Sequence, residues 1–552
     1  MKSVSSISSG SSGKACPYDF KVYVYELPKS LDSIRLGDEA RRNRTLHVCQ
    51  KCILEQFALE YIVQDFFTQF CGRTYSPAEA DFFYLPIIRD AEYRMRLEER
   101  GNPKKRNPSP AESALLLLME KNDSSLWKSV FQLPDDYWRR IGGGDHIIAM
   151  PAPVTNLRHE SSMRGFFHYM SHLHTPIFLN VEYSIAFVHE YPVCATEKNV
   201  VVPYPTTDPD LFSGKLFKEP IDRSALLYYA GGLHGECMEI RRCIRQVMIN
   251  STRLKNVVPS ARTNMAEREH GFRAATFCPV PVGDSPSSKR MYDVMHFGCI
   301  PVVISDDLVW AFSKETGGSV DPKRFSIQLP QSVVQFPTDV LLRKFGGPKG
   351  RALWGTLPNG ESLFSLLERA KDLPSVENGI YVNPLVHILR QVSAENVATL
   401  QRGIKEVEGM YRFYTHDSTI RDIPTAVRRF PDGGATAQLA AALSQRKRAG
   451  LGDLSKRCQA ERFRKGHKYI PRHPCDKDTA DSLKRRRRLF GVIEESGEAL
   501  KLSVGQDVDE AFARTFSVLD ELGEGEEREC EQFFTTNSSC RSCGSWRVEG
   551  VI

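Results

Sequence analysis

The run CIPVVIS, residues 299–305, carries apolar side chains without alternation. A strand of this kind is buried on both faces, which happens almost only where helices cover both sides of a parallel sheet. The segment before it supplies a covering helix. Met291, Val294, Met295 and Gly298 stand at i, i+3, i+4 and i+7, a single apolar stripe. Ser285 suits the N-cap and Pro286 the first helical position. The spacing therefore predicts a helix beginning at Pro286, with Gly298 letting its backbone approach the sheet. With a strand predicted over 275–282, the stretch reads as one β-α-β unit.

The same grammar occurs across most of the chain. KVYVYELP (21–28) alternates and stops at proline, as a strand does. Phe57, Tyr61, Phe66 and Phe70 roughly follow helical spacing, and Ser76, Pro77 and Glu79 mark a helix start before an apolar strand over 82–88. A helix over 111–121, a strand over 146–150 and the short apolar runs of TPIFLNVEYS and NVVVPYP continue the pattern. The proline-punctuated link TTDPDLFSGKLFKEPIDR interrupts it, and ALLYYAGG opens a second alternation with a helix over 237–249. The chain thus reads as α/β in four parts: a flexible lead-in (1–17), a first Rossmann-like domain (18–215), a second (216–429, helical after the strand that ends at 305), and a tail (430–552) with some helix and no core that can be traced.

Composition narrows the function. A chain of 552 residues exceeds what one core usually organises. A net charge of +6, with no basic stripe interleaved with aromatics, makes no electrostatic case for nucleic acid. The apolar run 114–119 is far short of the roughly 18 residues of a membrane span, and MKSVSSISSGSSGK lacks the apolar core of a secretory signal. Fourteen cysteines are many for a reducing compartment, and Asn43, Asn122, Asn250 and Asn537 open glycosylation triplets. Cys49 with Cys52 and Cys540 with Cys543 form CxxC pairs, but no histidine pair sits at finger spacing, so disulfides or buried thiols are favoured over zinc. DPD at 208–210 reads as a linker turn rather than a metal site. The basic run 484–488 reads as a solvated helix face or a nuclear signal.

The chemistry concentrates at 283–293. In a β-α-β unit the strand carboxyl ends and the helix start meet at the edge where ligands bind. Lys289 and Arg290 there oppose the helix dipole, a cost that a bound polyanion reverses. The competing reading is a pair of surface salt bridges, Lys289 or Arg290 with Asp293. A P-loop is excluded because Ser288 stands where its second glycine belongs, and GxGxxG is absent.

FCPVPVGDSPSSKRMYDVMHFGCIPVVISDD closely resembles the signature of exostosin-like, GT47-type glycosyltransferases. KVYVYELP, RTYSPAEADFFYLP, GGGDHIIAMP, NVVVPYP and LLYYAGG resemble further segments of that family in the same order, across residues 21–413. The resemblance implies a GT-B fold, two facing Rossmann-like domains, and an inverting transfer from a UDP-sugar to a glycan or glycoprotein acceptor without a metal or other cofactor. It implies that Arg290, assisted by Lys289, meets the diphosphate and that Asp293 holds the ribose. Gly283 and Asp284 would shape the turn, Ser288 would donate to phosphate, and Gly231 and Gly232 would admit the donor. For the catalytic base the candidates are Asp145 and His146, against a reading in which Asp145 caps a turn and His146 is a core residue; Asp306 and Asp307 are further carboxylates at a strand end. The family works in the Golgi and usually carries an N-terminal anchor, which this chain does not show, so membrane contact is expected only if an anchor lies upstream. A non-catalytic exostosin-fold scaffold or glycan-binding protein is the alternative.

Overall fold

The computed structural model describes residues 16–26, 59–86, 137, 139–141, 143–150, 176–182, 197–205, 223–231, 238–252, 257–258, 265–282, 286–306, 308–413 and 433–464. Within them, two all-parallel sheets account for the alternation read from the sequence. The first contains β1 (Val22–Val24), β2 (Arg73–Thr74), β3 (Phe82–Leu85), β4 (His146–Met150), β5 (Ile177–Asn180) and β6 (Asn199–Val201), in the order β2-β1-β3-β4-β5-β6. Helix α1 (Leu59–Gln69) covers one face through Leu59, Ile62, Val63, Phe66 and Phe67, a stripe at helical period with every member buried. Phe67 packs on Tyr84 of β3, ring centroids 5.0 Å apart. The helix start expected at Ser76 is only a 3-10 turn, Pro77–Glu79, and Ser76 makes no side-chain cap. The expected helix over 111–121 and the lead-in through residue 15 lie outside the described residues.

The second sheet is built from β7 (Ala225–Tyr228), helix α2 (Met238–Thr252), β8 (Val257–Val258), helix α3 (Met265–Ala274), β9 (Ala275–Pro281), helix α4 (Arg290–His296), β10 (Ile300–Ile304) and β11 (Ile327–Leu329), with strand order β11-β10-β9-β7-β8. β10 is buried along its whole length, as the absence of alternation requires. β11 was not expected; FSIQLP is too short to separate from a helix by periodicity. One expectation for α4 is corrected. It begins at Arg290 rather than Pro286, because Pro286 O takes the Ser305 hydroxyl and Arg290 N turns to Ser288 Oγ, which replaces the helical bond between residues 286 and 290. Gly298 closes it with φ 69°, the left-handed position that ends a helix, so the glycine is also required by the turn.

The carboxyl edges of the two sheets face each other. Phe312 N donates to Val201 O at the end of β6 (2.9 Å), and Ser287, beyond β9, meets Glu182, beyond β5. This is the two-unit α/β arrangement of the GT-B fold. Helices α5 (Thr338–Phe345), α6 (Pro348–Arg351) and α7 (Leu363–Ala370), a hairpin of β12 (Val376–Glu377) and β13 (Ile380–Tyr381), and helices α8 (Pro384–Arg390) and α9 (Ala394–Val407) complete the second unit.

The segment after 430, expected to hold no traceable core, contributes helices α10 (Ala435–Arg448) and α11 (Leu451–Arg464). α10 starts against the second unit, where Ala435 N donates to Arg412 O at 2.7 Å. It ends on the first, where Arg446 donates to Glu197 O and Asn199 O at 2.9 and 2.7 Å. Ala435, Leu439, Ala440 and Leu443 are completely buried. Disulfides join Cys16 to Cys71 and Cys278 to Cys299; the two CxxC pairs of the sequence lie outside the described residues.

Two stability outcomes follow from these contacts. A chain ended at Arg429 uncovers the α10 stripe, a loss of about 5 kcal/mol of apolar burial, and its urea midpoint should fall well below that of a chain ended at Arg464. Replacing Cys278 and Cys299 together by alanine opens the 21-residue separation between them and should cost about 3 kcal/mol in denaturant unfolding.

Candidate functional site

In the second sheet the strand order reverses between β7 and β9, and the crevice outside their carboxyl ends is where open α/β sheets hold ligands. Past β7 the chain reads Tyr229, Ala230, Gly231. Arg290 comes back to the same place from α4, its Cζ 4.9 Å from the centre of the Tyr229 ring. Arg290 Nη1 and Tyr229 Oη are sealed from solvent without a hydrogen-bond partner among the described residues. Burial lowers the guanidinium pKa from the ordinary arginine value; Tyr229 and Asp293 oppose that, and the charges of Arg241 and Arg268 add to it. Arg241, on α2, is anchored by its Nε to Val282 O at the end of β9 (3.3 Å). The charges of Arg290, Arg241 and Arg268 thus act together at the crevice with Asp293 opposing them, and a site of this kind favours an anion. Gly231 makes room for it: a Cβ there would lie 2.5 Å from Arg290 Nη2 and 2.5 Å from Tyr229 Oη.

The other donor-side residues named from the sequence are placed as follows. Lys289 Nζ bonds both oxygens of Asp293 at 2.6 Å, so that salt bridge of the competing reading is formed, and Arg290 is not part of it. Ser288 Oγ accepts from Arg290 N at 3.4 Å and so serves the first turn of α4. Gly232, Gly283 and Asp284 lie outside the described residues, as does Asp307. Asp306 Oδ1 accepts from Gln331 N at 2.9 Å, a capping role.

Three residues escaped the sequence reading. Glu182, just past β5, is 1 % exposed, and its Oε2 accepts from Ser287 N (2.7 Å) and from Ser287 Oγ. Tyr204, past β6, shares a hydrogen bond with the same Ser287 hydroxyl at 3.1 Å. Tyr229 forms the floor under Arg290. The signal for Glu182 was a charged residue directly after a buried strand in FLNVEYS, which sequence alone does not distinguish from the polar residues that end any strand.

Asp145 and His146 need correction as candidates for the base. They sit at the amino end of β4, on the edge of the sheet opposite the crevice, and both are completely buried. Asp145 Oδ2 accepts from Arg140 Nε and Nη2 at 2.9 and 2.6 Å, and its Oδ1 is 2.8 Å from His146 Nδ1. His146 Nε2 bonds Tyr25 Oη at 2.8 Å, and its ring stacks on Phe83 at 4.9 Å. Burial on its own raises the Asp145 carboxyl, but His146 and Arg140 outweigh it and hold the group below the usual carboxylate value. A fully buried and fully engaged pair at this edge braces the turn 143–145, which fits the core reading rather than that of a base for an acceptor in the crevice.

The exostosin GT47 domain matches residues 17–344. Among curated proteins, a "Probable beta-1,4-xylosyltransferase" of Arabidopsis thaliana is 27 % identical over 356 residues, covering 61 % of this chain and 77 % of the relative. A "Probable glucuronosyltransferase" of Physcomitrium patens is 26 % identical over 303 residues, 53 % of this chain and 60 % of the relative. A rice (Oryza sativa subsp. japonica) protein, also a "Probable glucuronosyltransferase", is 25 % identical over 356 residues, 61 % and 76 % of the two chains.

The amino-edge cluster carries a pH signature. Lys198 Nζ donates to Gly144 O at 3.0 Å, and burial pulls its pKa down from 10.5 to about 7, a fall that Asp145 only partly opposes. A lysine depressed in the folded state leaves the unfolded chain with more bound protons between pH 7 and 10.5, so it adds to stability as pH rises through that window. Lys198→Met should remove this gain: the stability difference, wild type minus variant, should rise from pH 7 to 10 in unfolding titrations.

Proposed function

Because the chain belongs to the exostosin GT47 family, we propose that it is a glycosyltransferase moving a sugar from a UDP-sugar to a glycan or glycoprotein acceptor, with inversion and without a divalent ion. The observation that carries this reading is the Arg290 guanidinium, held over Tyr229 at the switch point of the second sheet with no partner for Nη1 among the described residues. A buried cation with an unmade hydrogen bond is costly, and a diphosphate oxygen supplies both the acceptor and the charge. The same guanidinium then stabilises the charge that grows on the departing UDP. α4 has only seven residues and starts at Arg290, so the guanidinium, rather than a helix dipole, is the main source of the field.

Lys289 and Asp293 form the rim of the site. A carboxylate oxygen accepts more than one hydrogen bond, so Asp293 can hold Lys289 and a ribose hydroxyl together. The facing edge of the first sheet is the acceptor side in this reading. The lumen of the secretory pathway is its compartment, a proposal supported by the disulfides Cys16–Cys71 and Cys278–Cys299, which a reducing cytosol would not maintain. Among the described residues no helix is long and apolar enough to cross a membrane.

UDP release from a panel of UDP-sugars that includes UDP-xylose and UDP-glucuronate tests the reading. Wild type should release UDP from at least one donor, and Arg290→Ala should lower kcat/KM on it by about 100-fold at unchanged melting temperature. Gly231→Ala should approach that loss by displacing the guanidinium. Wild-type UDP binding with no release from any donor would instead identify a scaffold that keeps the site without turnover.

A further inference from the structure

The segment that carries Arg290 is held by three strand ends. Ser305 Oγ, past β10, donates to Pro286 O at 2.8 Å. Tyr204, past β6, bonds the Ser287 hydroxyl. Glu182, past β5, takes both the N–H and the hydroxyl of Ser287. Two of the three belong to the first sheet, although the residue they steer serves the second. Ser287 lies three residues before Arg290, so holding it fixes the chain immediately ahead of α4.

We infer that Glu182 is a positioning residue for the donor: acting through Ser287, it fixes the segment 286–289 so that the Arg290 guanidinium stands over Tyr229. This rests on the donor site proposed above. Glu182 does not itself contact the nucleotide. A carboxylate beside a polyanion would repel it, and here the Ser287 N–H and hydroxyl dipoles screen its Oε2 while transmitting its position. Charge-assisted hydrogen bonds to one buried oxygen are strong and directional, so their loss releases the segment without removing any group from the crevice. Donor affinity is consequently governed from the acceptor-side sheet.

The test compares the full-length wild type, Glu182→Ala, Glu182→Gln and Ser287→Ala by UDP titration calorimetry and by donor and acceptor KM in the UDP-release assay. Glu182→Ala should weaken UDP binding and raise donor KM on the order of tenfold, leaving acceptor KM unchanged. Glu182→Gln keeps an oxygen that can accept both Ser287 bonds and should recover to within about threefold of wild type; Ser287→Ala, which keeps the N–H, should fall between them. Wild-type donor KM and UDP affinity in Glu182→Ala would overturn the inference. So would Glu182→Gln as impaired as Glu182→Ala, since that assigns a charge or proton role instead. If Glu182→Ala does not fold, Ser287→Ala decides by the same two readings, and wild-type values overturn the inference. A wild-type chain that binds no UDP overturns the donor site as well, whereas equal binding by wild type and Glu182→Ala overturns only the role of Glu182.

Discussion

A parallel strand delivers its carboxyl end to the edge where the next helix begins, and in this chain two such edges are turned toward each other. Everything of chemical interest follows from that confrontation. Tyr229, Gly231 and Arg290 come from the carboxyl side of the second sheet, Glu182 and Tyr204 from the carboxyl side of the first, and Ser287 is the point at which the two sets touch. Backbone contact between Phe312 and the end of β6 keeps the edges in register beside that point. An antiparallel sheet could not do this, because alternate strands would carry the relevant ends to opposite sides.

The two edges of the first sheet also differ in how charge is treated. At the amino edge the described cations are engaged: Arg140 lies on Asp145, Arg446 on two backbone carbonyls, Lys447 on Asp81 and Arg457 on Glu197. That is the electrostatics of a structural joint, and it fastens α10 and α11 to the first unit. In the crevice the balance differs. Arg290 Nη1 has no partner among the described residues, and the charges of Arg241 and Arg268 act on it with the same sign. This contrast between the two edges is what favours Arg290 over the fully engaged Asp145 and His146 as the centre of the proposed site.

Much of the fold was legible because its signals are local. Residues 146–150 form the strand expected of them, and β9, β10 and α2 fall close to their predicted limits, since unbroken apolar runs and helical stripes report burial directly. The failures have a common cause, a partner distant in sequence. Ser285 and Pro286 have the chemistry of a helix start, but Ser305, from the far end of β10, takes the Pro286 carbonyl, and Glu182, more than a hundred residues earlier, holds Ser287 ahead of the helix. The stripe that buries α10 is mostly alanine and leucine among lysines and arginines, which reads as solvated until the first unit is placed beneath it. Asp145 and His146 were named for their residue types after a glycine turn; which edge they occupy depends on the strand direction, and they lie at the amino end of β4 rather than at its carboxyl end. Arg290 was found because its neighbours in sequence are also its neighbours at the site, although Tyr229, its floor, was not.

The two ends of α4 are held in different ways. Its rear is locked: His296 Nδ1 is paired with Glu408, which Arg412 also holds, and Tyr292 accepts from Ala311 N within a cluster of Trp310, Phe325 and Tyr411. The Cys278–Cys299 disulfide ties the turn after α4 back to β9. Opposing pulls on Glu408, with burial raising its pKa and His296 and Arg412 lowering it further, leave the carboxyl below its ordinary value and therefore ionised in the pair. The front has no such core. It is held through single side chains, Glu182, Tyr204 and Ser305, reaching the two residues Pro286 and Ser287. The first residue of the helix is Arg290, so the contacts that join the two sheets at Pro286 and Ser287 are also those next to the guanidinium.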